Sequence, residues 1–186
     1  MKRALEFTFA ALLVAVATGQ LLADPQNEKS PAEQEAEIQA ALAELPGADK
    51  VLAEAQRFCV TMPRERLGAM GAPKKIMLNG KPVFLCCEGC EKQAKANPKA
   101  TLQTVEQMKK ANAALAKLSK EDRLQAEQQM NCPVSSGRLG SMGTPPKLTI
   151  EGQPVFICCK GCERKAMANP KATLAKVVEL KKADDE

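Results

Sequence analysis

The sequence predicts an α+β protein built from two tandem copies of one small unit. Residues 41–59 align without a gap on residues 114–132, at an offset of 73. After one extra residue in the first copy, residues 67–102 align on residues 139–174, at an offset of 72. Both copies share one order of local patterns: a helix, a turn-rich loop, a β-hairpin, a cysteine turn and a further helix. Self-similarity of this kind indicates duplication, and we expect two repeats, residues 41–112 and residues 113–186.

A helix is predicted to begin just after Ser30. Ser30 is a favourable N-cap, Pro31 suits the first helical position, and Glu33 completes a capping box. Residues 24–40 are therefore expected to comprise a polar leader and the start of this helix. Its apolar face has helical spacing and consists of Ile38, Ala41, Leu42 and Leu45. A second helical segment follows the break at Pro46-Gly47 and carries the apolar residues Val51, Leu52 and Ala55.

Two short β-like runs in each copy surround a hairpin turn. Asn79-Gly80 is among the strongest two-residue hairpin signals, because both positions tolerate positive φ, and Glu151-Gly152 is a weaker version. The stretches "PVFLCCEGC" and "PVFICCKGC" then place a cysteine cluster where the second strand ends. Beyond it, Asn97-Pro98 and Asn169-Pro170 each predict a new helix, with Asn as the cap and Pro at the first position.

The N-terminal segment, residues 1–23, is predicted to be a signal peptide. "MKR" supplies a positive n-region, "FTFAALLVAVATG" an apolar h-region, and small residues follow, with Ala23 the favoured cleavage point. The apolar run is shorter than the roughly 20 residues of a spanning helix. We therefore expect an exported, periplasmic or extracellular protein without a stable membrane span after cleavage. The alternative is an uncleaved membrane anchor.

The composition limits the function classes. The chain has 27 basic and 22 acidic residues in a mixed pattern, a net charge of +5 and 3% aromatic residues. Nucleic-acid binding is disfavoured, because few aromatic side chains are available for base stacking. Histidine is absent, which excludes a Ser/His/Asp catalytic arrangement, and no glycine-rich phosphate loop is present. We expect a protein that is not an enzyme.

Cysteine is the residue type that carries the candidate chemistry. Each copy has one early cysteine and a later C-C-x-x-C cluster, and the eight residues are Cys59, Cys86, Cys87, Cys90, Cys132, Cys158, Cys159 and Cys162. Thiolates without histidine favour soft ions, so zinc or copper(I) is expected, one ion per repeat. A four-thiolate site would be a closed, structural zinc site, whereas a three-thiolate site better suits copper(I). Met70 and Met142 are candidate thioether neighbours.

The sequence leaves the ligand set open. Adjacent residues of a strand point to opposite faces, so Cys86 and Cys87 are expected to diverge. The first site could therefore use Cys59 and Cys90 with Cys86, the same pair with Cys87, or all four sulfurs in a distorted arrangement.

Two other functions compete with metal binding. In an oxidising compartment an even number of cysteines is typical of disulfides, so the cysteines could be purely structural, as disulfides or zinc sites in an interaction module. Two cysteines separated by two residues at a helix start also occur in thiol–disulfide oxidoreductases. The alternating strand–helix pattern of that class is missing, and the early cysteine has no role in its chemistry.

The second copy resembles the YHS and TRASH-type heavy-metal-binding domains. The resemblance covers Cys132 to about Leu174, from "CPV" through "GQPVFICCKGC" to "ANP", and less closely Cys59 to Leu102, where Val60 replaces the proline. It implies two treble-clef-like modules that bind heavy metal through cysteine in exported or membrane-associated metal-handling proteins. A soft-metal-binding protein for sequestration, delivery or sensing is the expected function, and a metal-efflux protein is the expected partner.

Overall fold

The structure is a computed structural model, and it describes residues 29–182. The predicted signal peptide lies outside the described residues. The first copy contains, in chain order, α1 (Pro31–Ala43), α2 (Gly47–Gln56), β1 (Lys74–Leu78), β2 (Lys81–Leu85), α3 (Cys90–Ala96) and α4 (Pro98–Leu115). The second contains α5 (Lys120–Gln129), β3 (Lys147–Ile150), β4 (Gln153–Phe156), a single 3-10 turn (Lys160–Cys162), α6 (Glu163–Ala168) and α7 (Pro170–Lys182). The α+β prediction is confirmed.

The helix caps follow the predicted local signals. The Ser30 hydroxyl accepts a hydrogen bond from the Glu33 N–H at 3.3 Å, and the Glu33 carboxylate accepts one from the Ser30 N–H at 2.8 Å. The Asn97 side chain accepts from the Ala100 N–H at 3.1 Å and so caps α4. These side chains satisfy backbone donors that a helix start otherwise leaves without a partner.

The two hairpins have the predicted turns. β1 pairs antiparallel with β2, and β3 with β4. Asn79 and Gly80 have φ values of 48° and 75°, and Glu151 and Gly152 have 49° and 78°. Both turns therefore use the left-handed conformation at both central positions, which matches the twist of the strands. Glu151 adopts the left-handed conformation although it is not an asparagine, the residue at the equivalent position of the first turn.

Each copy has its own hydrophobic core. The first core includes Ile38, Leu42 and Phe84, and the second includes Leu115, Phe156 and Val177. The predicted apolar face of α1 is confirmed, with Ile38, Ala41 and Leu42 buried and Leu45 half-buried. The predicted second helix is present as α2, in which Leu52 packs against the first core, Ala53 and Gln56 are buried and Val51 is 63% exposed. The polar Gln56 is buried because its side chain bonds to Phe84 of the hairpin.

The helix α4 packs against the cores of both copies. Gly68 lies against α1, where a Cβ would come within 2.8 Å of the Ile38 carbonyl oxygen. Gly140, its counterpart at the offset of 72, lies against α4, where a Cβ would come within 2.5 Å of the Ala111 carbonyl oxygen. The C-terminal half of α4 thus packs in the second copy as α1 packs in the first. The predicted boundary between residues 112 and 113 falls inside this helix.

A charged cluster joins the copies. Arg57, at the end of α2, pairs with Glu127 of α5 at 2.7 Å, and Arg123 pairs with the same carboxylate at 2.8 Å. The guanidinium groups of Arg57, Arg66 and Arg138 lie 5.6–5.9 Å from the centre of the Phe58 ring. The contacts place cations from both copies around one aromatic ring, at distances that favour cation–π interactions.

Within residues 29–182, no helix combines the length and apolarity that crossing a membrane requires.

Candidate metal centre

The early cysteine of each copy lies in a tight loop after a helix. Arg57 has a φ of 67° and ends α2, and Met130 has a φ of 59° and ends α5. The loop then closes by a backbone hydrogen bond of 2.9 Å from the N–H of Cys59 to the carbonyl of Glu65. In the second copy the bond runs 2.8 Å from Cys132 to Gly137. The first loop is therefore one residue longer, which locates the insertion seen in the repeat.

The later cysteines follow the hairpin. Cys86 comes directly after β2, and Cys90 is the first residue of α3. In the second copy, Cys158 lies just after β4, and Cys162 ends the 3-10 turn before α6. A strand end and a helix start thus deliver one sulfur each, while the loop delivers the third.

A buried glutamine holds the loop against the hairpin. The Gln56 amide donates to the carbonyl oxygens of Phe84 at 2.6 Å and Phe58 at 3.0 Å, and its Oε1 accepts from the Phe84 N–H at 3.0 Å. Gln129 bonds in the same way to Phe156 and Asn131. Both glutamine residues are fully buried. In the first copy, the side chain joins Phe58, which precedes Cys59, to Phe84 of the strand that precedes Cys86. These bonds fix the distance between the cysteine loop and the hairpin. Sequence reasoning missed this pair, although both residues occupy the same position of the repeat.

Three sulfurs converge in each copy. The Sγ atoms of Cys59, Cys86 and Cys90 lie within 4.8 Å of one another, and so do those of Cys132, Cys158 and Cys162. All six side chains are buried. The Sγ atoms of Cys86 and Cys90 are 3.6 Å apart, as are those of Cys158 and Cys162. We call these sets the first and the second triad.

The triads match the size of a metal site. Metal–sulfur bonds of about 2.3 Å place sulfurs about 3.8 Å apart in a tetrahedral site and about 4.0 Å apart in a trigonal one. The spacing of 3.6 Å between Cys86 and Cys90 is close to these values. Small side-chain adjustments would suffice to bring the sulfurs to bonding distance of one ion.

Cys87 and Cys159 lie beside the triads rather than in them. Both are half-buried. The Cys87 Sγ is 3.9 Å from that of Cys86 and 3.7 Å from that of Cys90, and the Cys159 Sγ is 3.9 Å from that of Cys158. Of the three ligand sets predicted for the first site, the geometry brings together Cys59, Cys86 and Cys90. Cys87 lies next to this set on its more exposed side.

The loop lowers the pKa of the early cysteine in each copy. Burial raises the pKa of Cys132, but the Cys158 backbone N–H and the Ser135 hydroxyl outweigh it and lower the pKa to about 7. For Cys59 the Thr61 hydroxyl and neighbouring N–H groups likewise outweigh burial, so its pKa lies below the usual value. Burial and the neighbouring sulfurs raise the pKa of Cys162 to about 12. Within each triad, the early cysteine is therefore the thiol that ionises most readily.

The residues beside the triads differ between the copies. Met70 and Met142, the predicted thioether neighbours, are 57% and 67% exposed. A thioether does lie at the first triad, but it belongs to Met62, whose Sδ is 3.8 Å from the Cys86 Sγ. At the second triad, the Ser135 hydroxyl is 3.2 Å from the Cys158 Sγ. The signal available in the sequence was that Met62 and Ser135 both stand three residues after the early cysteine.

No protein-family model, no curated protein and no solved structure matches this chain.

Proposed function

We propose that this protein binds one soft metal ion in each copy and acts outside the cytoplasm in metal sequestration, delivery or sensing. The observation that carries the proposal is the convergence of three buried cysteine sulfurs within 4.8 Å in both copies. Three thiols gathered from a loop, a strand end and a helix start are not needed to fill a core. Thiolate ligands without imidazole favour copper(I), zinc and similar thiophilic ions.

Metal binding also accounts for the scale of the modules. Each core is small and contains one large aromatic residue that is almost fully buried, Phe84 or Phe156. Units of about 70 residues commonly need a metal or a cross-link to be stable. Because the triad joins elements that are distant in the sequence, the free energy of metal binding would add to the free energy of folding.

The role is that of a binding protein rather than an enzyme. The triads present sulfur ligands and hydroxyl groups, and the chain has no histidine that could act as a general base near neutral pH. Export rests on the signal-like residues 1–23, and a metal-efflux protein is the partner that such a carrier would serve. The resemblance to YHS and TRASH-type domains agrees with this role.

Disulfide formation is the main competing explanation. Two sulfurs of a triad could be oxidised to a disulfide in an oxidising compartment. Mass spectrometry of the protein without reductant separates the two explanations. We expect a reduced chain with bound metal. A chain eight hydrogens lighter, with no metal, would mean four disulfides and would rule out the proposal.

Elemental analysis of protein purified without oxygen tests the stoichiometry. The wild type should contain two metal equivalents, and Cys90→Ser or Cys162→Ser should each retain one, because each triad is complete within its copy. Cys87→Ser is the matched control and should retain both, since Cys87 lies outside the triad. Loss of all metal in either triad variant would show a single shared site. Loss of one equivalent in Cys87→Ser would place Cys87 among the ligands.

A further inference from the structure

We infer that the two copies bind different metals, and that Met62 makes the first copy the site for a monovalent thiophilic ion such as copper(I). This inference rests on the proposed function, because it concerns the fourth donor at the same two triads. It assigns the thioether of Met62 to the first site and the hydroxyl of Ser135 to the second.

The geometry places Met62 at a ligand's distance from the first triad. Its Sδ lies 3.8 Å from the Cys86 Sγ, which is about the separation of two sulfurs that share one tetrahedral ion. The Cys87 Sγ lies at a similar distance from Cys86, 3.9 Å, but Cys159 lies equally close to Cys158 in the second copy, so this thiol does not distinguish the copies. The side chain is 44% exposed and does not belong to the first hydrophobic core. The loop that carries it is the one with the extra residue.

The second copy replaces this donor with oxygen. Ser135 stands at the same distance in sequence from its early cysteine, and its hydroxyl lies 3.2 Å from the Cys158 Sγ. A hydroxyl can donate a hydrogen bond to a thiolate or give a hard oxygen atom to a metal. The first triad has a hydroxyl as well, from Thr61 at 3.2 Å from the Cys59 Sγ. The difference between the copies is therefore the added thioether.

The added donor changes selectivity rather than only affinity. A thioether is neutral and polarizable, and copper(I) is among the soft ions that thioether and thiolate ligands favour. Zinc accepts oxygen in its coordination sphere and gains little from the thioether. Since both copies supply three thiolates, the preference of a monovalent ion for the first copy depends on Met62.

Silver(I) is a suitable probe for this preference, since it is a soft monovalent ion that needs no reductant to keep its charge. One equivalent is added to the reduced full-length protein without oxygen, the free thiols are alkylated, and peptides from the two copies are compared by mass spectrometry. We expect the first triad to be protected about tenfold or more over the second, the range in which residues around the ligands alter metal affinity.

Two substitutions test the assignment in opposite directions. Met62→Ser should remove the preference for the first triad, and Ser135→Met should shift silver towards the second. Met70→Ser is the matched control, because Met70 is an exposed methionine of the same copy, and it should leave the distribution unchanged. Met70→Ser should also bind zinc as the wild type does, which shows that the control variant keeps both triads intact.

The outcomes separate this inference from the proposed function. Equal protection of both triads in the wild type, or a preference that survives Met62→Ser, would overturn the inference while leaving metal binding in place. A preference that fails to shift in Ser135→Met would also overturn it, because that variant keeps the first triad intact. Absence of protection at both triads would overturn the proposed function as well.

Discussion

The buried glutamine of the second copy offers the sharpest test of how the site is held together. Gln129→Met keeps the length of the side chain but removes its bonds to Phe156 at 2.5 and 2.9 Å and to the Asn131 carbonyl at 3.0 Å. Each intramolecular hydrogen bond contributes about 0.5–1.5 kcal/mol, and a buried group that loses its partner costs about 1–3 kcal/mol. The Phe156 N–H and two carbonyls lose that partner, so we expect a loss of about 2–4 kcal/mol in the free energy of unfolding.

Urea denaturation of the reduced, metal-free protein measures this loss. Gln128→Met is the matched control, since Gln128 is the exposed neighbour on the same helix, and it should change the free energy of unfolding by less than about 0.5 kcal/mol. Metal affinity of the second triad should fall in Gln129→Met, because Cys132 would no longer be fixed relative to Cys158. A Gln129→Met protein as stable as the control would refute the idea that the glutamine connects loop and hairpin.

Two further predictions follow from the structure. Gly140→Ala should destabilise the protein by about 1–3 kcal/mol more than Gly143→Ala. Both glycines have positive φ, so the backbone strain is similar in the two variants. Only at Gly140 would the new Cβ contact the Ala111 carbonyl oxygen, at 2.5 Å, because Gly143 faces open space. Thermal unfolding of the two variants measures the difference, and equal effects would contradict the packing of α4 in the second copy. Metal affinity of the second triad should rise with pH between about 6 and 9, because binding displaces protons from thiols such as Cys162, whose pKa is raised to about 12. Titration against a competing chelator at several pH values tests this, and a flat profile would mean that the thiols are already ionised.

Several predictions from the sequence were confirmed because their signals are local. The capping box at Ser30 and Glu33 depends on residues three apart, and the hairpin turn at Asn79-Gly80 depends on the φ range of two adjacent residues. The turn at Glu151-Gly152 has a weaker local signal, and the alignment of the two copies predicted it from Asn79-Gly80. The face of α2 was less predictable, because Gln56 is buried only as a partner for backbone groups of the hairpin.

The sequence by itself determined the order of elements, the duplication and the residue type that carries the chemistry. Capping, turn preference and self-similarity act over a few residues or by direct comparison, so they can be read without a fold. Only the tertiary structure decided which sulfurs meet. Cys59 and Cys86 are separated by 26 residues, and their distance depends on the loop, on the hairpin and on the bonds of Gln56 between them. For the same reason the structure, and not the pattern, selected Cys86 over Cys87 for the triad and placed Met62 beside it.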